Sequence, residues 1–468
     1  MEAYTEFLKR KLERAISSGF TKPKDSMNGK MFEWQKDIDF WALKKGRAAL
    51  FEDCGLGKTI QQLEWAKSVS DYTGKPVLIV APLAVADQTR REGEKFGYHV
   101  TVCRNQSHVQ PGINICNYEM LEHFGASAFS GVVLDESSIL KNYSGKMRNQ
   151  IVDMWRNTEY KLSCTATPSP NDYMELGNQA EFLGVMSRTE MLATYFTHDG
   201  GNTSKWRLKG HAEDRFWEWV ASWAVVLTTP ADLGYDAAGY DLPDKITIEH
   251  LVEPDRVMDA SDGNLSLFAE EAKTLTERRD ARRNSLEARC RKAAELVAGD
   301  TSAQWLIWCD LNSESELLTR LIPGAVEIRG SDDPIIKAER LNQFTIGKIR
   351  YLVTKPSIAG FGLNWQGCHN MIFVGLSDSY EMMYQAIRRC WRFGQKEPVN
   401  VHIITSAAEG AVKENVERKE RQSLKMTQEM VKYTKAVLEE EIRGTMRITI
   451  PYDPQVEMIV PDWIRSIV

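Results

Sequence analysis

Short, unbroken apolar runs recur along the first part of the chain: Leu50-Phe51, Val77-Leu78-Ile79-Val80-Ala81, Ile113-Asn114-Ile115-Cys116, Gly131-Val132-Val133-Leu134 and residues 160–164. Such a run, with no polar alternation, predicts a strand buried on both faces. Between several of them the apolar positions take helical spacing, at Ile38, Phe40, Trp41 and Leu43 before Gly46, and again over residues 60–69. Strand and helix in turn predict a parallel sheet with crossover helices. A second alternating region runs through residues 304–309, 326–328, 351–354, 371–374 and 399–404 and predicts another such sheet. From about 176 to 291 the pattern lapses into aromatic segments such as Arg215-Phe216-Trp217-Glu218-Trp219, with a short strand expected at 245–251 and a charged helix at 269–298. Phe7, Leu8, Leu12 and Ile16 place a helix near the start. The tail from Glu409 alternates charge as one or two surface helices, and residues 446–468, broken by Pro451, Pro454 and Pro461, read as strand and coil. The expected divisions are an accessory helix at 1–30, a first lobe at 31–182, a helical insertion and linker at 183–292, a second lobe at 293–408 and an extension at 409–468.

Composition narrows the class. A chain of 468 residues exceeds one ordinary core, and at about 150 residues per domain two or three units are expected. Hydrophobic residues at 43% and charged residues at 26% are ordinary for a globular protein. No stretch is apolar for long enough to serve as a signal peptide core or a membrane span, so a cytosolic protein without membrane contact is expected. The 8 cysteines lie singly, with no Cys-x-x-Cys pair, which predicts reduced core thiols. A net charge of −6 requires any nucleic-acid contact to come from locally concentrated basic residues.

The chemistry begins at Glu52-Asp53-Cys54-Gly55-Leu56-Gly57-Lys58-Thr59. Gly55 and Gly57 permit a turn in which successive N–H groups converge on phosphate oxygens at a helix start; Lys58 supplies a point charge and Thr59 a hydroxyl for Mg²⁺. An ordinary glycine turn capping a helix is the plainer reading, and Glu52 occupies the place of the motif's first glycine. Upstream, Gln35 lies beside Phe32 and Trp34, and its amide matches the N6 and N7 edge of adenine. Val132-Val133-Leu134-Asp135-Glu136 sets two acids at a strand end, where Asp135 can hold Mg²⁺ and Glu136 can orient or deprotonate water, or where both merely cap the next helix. Thr165-Ala166-Thr167-Pro168 offers small hydroxyls able to relay a phosphate state. Arg278, Arg279, Arg282, Arg283, Arg289, Arg291 and Lys292 form the densest basic segment, interleaved with acids as a solvated helix face also would be. Gly360-Phe361-Gly362-Leu363-Asn364 permits close backbone approach. Gln385, Arg388, Arg389 and Arg392 fall near one helical stripe, where arginines repel unless an anion faces them.

In order, these stretches resemble the superfamily 2 helicases and translocases, and within them the remodeller-like, sucrose-nonfermenting type branch found in many bacteriophages, over about residues 31–405. Gln35 resembles the glutamine motif, Gly55 to Thr59 the first nucleotide motif, Val80-Ala81-Pro82 a strand end touching the DNA backbone, Asp135-Glu136-Ser137-Ser138 the DExx box, and Thr165 to Pro168 the coupling motif. Gly360 to Asn364 resembles motif five, and Gln385 to Gln395 the QxxxRxxRxGQ signature, with Arg389 and Arg392 as alternative finger arginines. Glu52, Pro356 and Arg388 depart from the family pattern, Arg388 standing where remodellers usually place an acid. The resemblance implies an α/β fold of two RecA-like parallel-sheet lobes with a helical insertion, binding ATP and Mg²⁺. It assigns nucleotide binding to Gln35, Gly55, Gly57, Lys58, Thr59, Asp135 and Gly362, metal binding to Thr59 and Asp135, and catalysis to Glu136, Arg389 and Arg392. The implied activity is ATP-driven translocation on DNA, duplex before single strand, in the host cytoplasm for a phage protein, with a loading protein or nuclease as a further partner. A fork-unwinding helicase and a nucleotide-gated scaffold are the alternatives; intact Glu136, Arg389 and Arg392 speak against the scaffold.

Overall fold

Strand Arg47–Glu52 (β1) shows how an uninterrupted apolar run is used: Ala49 and Phe51 enter the core on one side of a sheet, while Ala48 and Leu50 enter a separate core on the other. Period-two alternation is present, but both faces are dry because helices cover both. The computed structural model describes residues 17–83, 85–199, 202–253, 282–359, 364–406 and 410–442. The expectations for the N-terminal helix over 4–17 and for 446–468 lie essentially outside these.

The first sheet comprises β1 with Val77–Ala81 (β2), Val100–Val102 (β3), Ile113–Asn117 (β4), Gly131–Asp135 (β5), Tyr160–Cys164 (β6) and, much later in the chain, Ala224–Leu227 (β9). Its order is β3-β4-β2-β5-β6-β1-β9, and every pairing is parallel. Between β6 and β9 an antiparallel hairpin, Phe196–Asp199 (β7) and Asn202–Leu208 (β8), stands as its own two-stranded sheet. The second large sheet holds Lys245–Val252 (β10), Trp305–Trp308 (β11), Ala325–Glu327 (β12), Tyr351–Thr354 (β13), Asn370–Val374 (β14) and Val399–Ser406 (β15), in the order β10-β15-β14-β11-β13-β12, again all parallel. These are two RecA-like lobes in an α/β fold. None of the described helices is long and apolar enough to cross a membrane, and all the cysteines are free and, apart from Cys54, buried.

Two expectations are corrected. Residues 183–292, expected as a helical insertion and linker, also supply a strand to each large sheet: β9, which was not expected, completes the first, and β10, the strand expected at 245–251, forms the edge of the second. Ala224-Val225-Val226-Leu227 is a buried strand whose signal was hidden by the aromatic helix Glu213–Ala221 just before it. The helices that position the site are Glu33–Lys45 (α1), Lys58–Thr73 (α2) and Tyr380–Ile387 (α3). The tail forms a single helix of 33 residues, Gly410–Ile442 (α4). It is no surface ornament, because Met426 and Met430 join the core of the first lobe and the Thr434 hydroxyl accepts the Val226 N–H of edge strand β9 at 3.2 Å.

A candidate nucleotide site at the lobe interface

The turn between β1 and α2 is built on two glycines in the left-handed region, Gly55 at φ 93° and Gly57 at φ 81°, the latter directly before the first helical residue, Lys58. Crowding reinforces the requirement. A Cβ on Gly57 would lie 2.6 Å from Gln35 Nε2, and one on Gly55 would meet Phe393 of the second lobe at 3.2 Å. The start of α2 therefore aims its unsatisfied N–H groups into a tight space, and Thr59 occupies the first turn. Lys58 Nζ donates to Glu52 O at 2.7 Å and Asp53 O at 3.1 Å, folding back across the loop. Glu52, which replaces the motif's first glycine, is fully buried at the end of β1 and accepts from Gln61 Nε2 at 2.7 Å. Burial pushes its carboxyl up to about 7, against the pull of Lys58 and Gln61.

Gln35 is buried on α1, and both ends of its amide are engaged: Nε2 donates to Leu56 O at 2.9 Å, and Oε1 accepts from the Phe32 N–H at 3.0 Å. In this arrangement it pins the glycine loop.

The acids follow β5. Asp135 accepts from Gln62 Nε2 of α2 at 2.7 Å, and burial raises its carboxyl above the ordinary range despite that bond and the nearby Lys58. Glu136 is, among the described residues, the one non-glycine with positive φ, at 52°. Such a backbone costs roughly 1–3 kcal/mol and persists where surrounding structure imposes it. Its carboxylate takes long contacts from Thr165 Oγ1 at 3.5 Å and, across the lobes, from Gln385 Nε2 at 3.4 Å. Burial, and then the neighbouring Asp135, push it up to about 7. The hydroxyl of Thr59, in the first turn of α2, and the carboxylate of Asp135, at the end of β5 and bonded to Gln62 of α2, are the oxygen donors a hard cation such as Mg²⁺ prefers. The residues present therefore fit a magnesium nucleotide.

The second lobe meets this loop through α3 and the turn after it. Helix α3 ends at Ile387, so the expectation of one continuous arginine stripe is corrected: Arg388, Arg389 and Arg392 lie on turns and are aimed differently. Arg388 Nη2 donates to Asp53 Oδ2 at 2.7 Å and Cys54 O at 2.8 Å, and the Tyr384 hydroxyl donates to Asp53 Oδ1. Arg389 turns back on Gln385, with Nε 3.0 Å from its carbonyl and Nη2 3.0 Å from its amide oxygen. Arg392 stands beside the glycine loop, its Cβ 3.9 Å from where a Gly55 Cβ would stand. Burial and the neighbouring Arg389 push its guanidinium down to about 10. Nearby, buried Glu381 pairs with Lys141 and accepts from Thr167 Oγ1 at 3.4 Å, so the threonine turn after β6 does touch the opposite lobe.

Gly362, with its neighbours 360, 361 and 363, lies outside the described residues, as do Arg278 and Arg279. Within the rest of the basic segment, Arg289 is fully buried against Glu314 at 2.8 Å and Val374 O at 2.7 Å, and Arg282 pairs with Asp310 at 2.8 Å. These two arginines fasten the start of the second lobe and do not form a solvated basic face. Their partners are acids of the second lobe rather than phosphates. Sequence reasoning passed over Asp53, Lys141, Glu381 and Tyr384. Only Asp53 carried a signal, its place beside the glycine turn.

The comparisons with known proteins divide the chain at the same cleft. The SNF2-related domain family matches residues 38–197, and the helicase conserved C-terminal domain family matches residues 289–394. The chain is 25% identical over 166 residues to the SWI/SNF-related matrix-associated actin-dependent regulator of chromatin subfamily A-like protein 1 of Xenopus tropicalis, covering 33% of this chain and 17% of that protein. It thus spans less than a fifth of that relative's length. It is also 22% identical over 429 residues to the putative protein p41 of Acyrthosiphon pisum secondary endosymbiont phage 1, covering 77% of this chain and 89% of that one. The Sulfolobus solfataricus SWI2/SNF2 ATPase core in complex with dsDNA superposes with a TM-score of 0.41 at 16% identity, covering 92% of this chain and 98% of that one. With one family match on each parallel sheet and the glycine loop facing the arginine turn between them, the chain carries an SNF2-related domain followed by a helicase conserved C-terminal domain, the two halves of a superfamily 2 ATPase.

Proposed function

We propose that the protein is a nucleic-acid motor that hydrolyses ATP to translocate on DNA, duplex DNA above all. The observation that carries this reading is the pairing of Lys58, Asp135 and Glu136 in one lobe with Gln385 and Arg392 of the other across a single cleft. Bound Mg·ATP would supply the phosphoanhydride and the cation that neutralises its oxygens. Lys58 would leave the carbonyls of residues 52 and 53 for phosphate, while Thr59 and Asp135 hold the metal. Glu136, with its carboxyl near neutrality, accepts the proton of the attacking water, and Gln385 orients it from the second lobe. Arg389 and Arg392 are the candidate finger arginines, Arg388 being held on the loop. Closing and reopening the cleft in step with hydrolysis would then move the lobes along a phosphate backbone. Several curated relatives are named as chromatin regulators or remodelling factors, and chromatin DNA is duplex, which favours that substrate.

Fork unwinding is the alternative reading. Steady-state ATP hydrolysis with no nucleic acid, duplex DNA, single-stranded DNA and RNA, each at two salt concentrations, tests both. Stimulation chiefly by duplex, weakening with salt, supports translocation; stimulation by single strands or forks, with displacement of a labelled strand, supports unwinding. ATP binding without turnover under every condition would overturn the motor and leave a scaffold for a loading partner or nuclease.

A further inference from the structure

We propose that Asp53, Tyr384 and Arg388 form a clamp through which the second lobe sets the shape of the phosphate loop, making Arg388 a positioning residue and coupling nucleotide affinity to lobe closure. The inference deepens the motor reading and rests on its assignment of the loop, although its first measurement needs no nucleotide.

Asp53 is the last residue before the glycine turn proper. Its N–H is fixed to Leu227 O of β9 at 2.9 Å, so its main chain is anchored in the first sheet. Its carboxylate is fully used: Oδ1 accepts from the Cys54 N–H at 2.7 Å and from the Tyr384 hydroxyl, and Oδ2 accepts from Arg388 Nη2 at 2.7 Å. The same Nη2 reaches Cys54 O at 2.8 Å, so one guanidinium holds both the side chain of one loop residue and the carbonyl of the next. The Arg388 side chain is only 3% exposed and lies over the Trp391 ring at 4.9 Å, while Trp391 is itself held by its Nε1 on Pro243 O at 2.7 Å. On the other side, Asp53 O is one of the two carbonyls holding Lys58. A continuous chain of contacts thus runs from Trp391 through Arg388 and Asp53 to the phosphate-binding lysine.

Opening the cleft removes two of the three donors to the Asp53 carboxylate and frees Cys54 O. The loop is then held from the first lobe alone, by the Asp53–Cys54 turn, by Lys58 on the carbonyls of residues 52 and 53 and by Gln35 on Leu56 O. Linkage requires the reverse as well: a ligand that needs the ordered loop favours the closed lobes. The chain's departure from its family at Arg388 acquires a reason, since an acid there would face Asp53 with like charge.

The test compares Arg388→Met, Asp53→Asn, the double variant and Arg388→Lys. Hydrogen–deuterium exchange of the amides at 54–59 is measured first on nucleotide-free protein, then the KM and kcat of ATP hydrolysis. Each single variant should speed loop exchange to a similar extent, with the double no faster than either. KM should rise about tenfold, inside the roughly 5- to 150-fold range usual for coupled sites, while kcat changes less than about twofold. Arg388→Lys, keeping the charge and one donor, should recover part of the loss. Additive effects in the double variant, unchanged exchange, or a fall in kcat of about 10³ at constant KM, as for an arginine acting on the transferred phosphoryl group, would overturn the clamp. Should the wild type not hydrolyse ATP at all, the motor reading fails, and the exchange data alone decide the clamp.

Discussion

Replacing Glu52 by Gln should stabilise the protein at alkaline pH and leave it unchanged in mild acid. Glu52 is fully buried, and only Oε2 has a partner, Gln61 Nε2 at 2.7 Å; Oε1 is without one. Its carboxyl moves from an ordinary 4.5 to about 7, chiefly through burial. A raised carboxyl pKa means the folded state holds the proton more tightly than the unfolded chain. No penalty exists where both are protonated; it accumulates between pH 4.5 and about 7, and is complete above that. At roughly 1.36 kcal/mol per pH unit, the complete penalty is about 3 kcal/mol. Glutamine retains the acceptor for Gln61 and removes the charge, so urea unfolding followed by tryptophan emission should give a variant about 3 kcal/mol more stable at about pH 8 and nearly equal at about pH 4.5. The main-chain carbonyl of residue 52 that holds Lys58 is untouched. KM for ATP should therefore fall at alkaline pH, one negative charge having left the vicinity of the phosphates. A stability difference that does not vary with pH would refute the reasoning, for it would mean that Glu52 is ionised and satisfied in the folded protein.

Lys58→Ala should lose ATP-dependent activity, whereas Glu136→Gln should bind ATP and stall; rapid turnover by the glutamine variant would remove Glu136 as the base. Arg392→Ala should keep nucleotide binding and lose about 10³-fold or more in hydrolysis, and the same loss at Arg389 instead would move the finger by one turn. Lys141→Met should lower the urea midpoint more than Glu381→Gln, because the first leaves a buried carboxylate unpaired and the second removes it while keeping a partner for Thr167. Thr434→Val should cost about 1–3 kcal/mol by orphaning the buried Val226 N–H, and Met430→Ala about 2–5 kcal/mol by opening a cavity in the first-lobe core, both by urea unfolding.

Both sheets were legible because most of their central strands are short and largely apolar, whereas the equally apolar Ala224–Leu227 escaped behind an aromatic helix. The loop was legible because phosphate binding needs glycines at fixed spacing beside Lys58. What escaped depended on distance along the chain. Arg388 and Asp53 are 335 residues apart, and no local pattern announces such a pair. The periodicity that placed the arginines on one stripe assumed that α3 continues, but the chain turns at Arg388 and gives each arginine its own direction. Arg289 and Glu314 were each visible as charges, yet mutual burial turned what reads as a basic helix face into a fastening of the second lobe. Helix α4 was misjudged for a similar reason: its charge alternation is real on one side, while Met426 and Met430 face the other.

The position of α4 bears on how the cleft can work. Its N-terminal half is tied to the second lobe, through Lys413 to Glu249 at 2.6 Å, Lys419 to Asp378 O at 2.7 Å, Lys245 to Glu420 at 3.5 Å and Val412 in the core. Its C-terminal half is tied to the first, through Lys425 to Glu213 at 2.8 Å, Tyr433 to Asp214 at 2.7 Å, the Thr434 bond to β9 and the buried methionines. A helix of this length spans about 50 Å and resists compression, so lobes docked on both halves can tilt about it more easily than they can part. The second lobe holds it by one small core side chain, the Lys419 hydrogen bond to the Asp378 carbonyl and ion pairs of small individual worth, the first by two large core side chains, a buried hydrogen bond and one ion pair. The second-lobe end is therefore where α4 yields when the cleft opens. Motion of that kind is small at the helix and largest across the cleft, where Arg388 and Tyr384 hold Asp53 by hydrogen bonds that a separation of a few ångströms breaks.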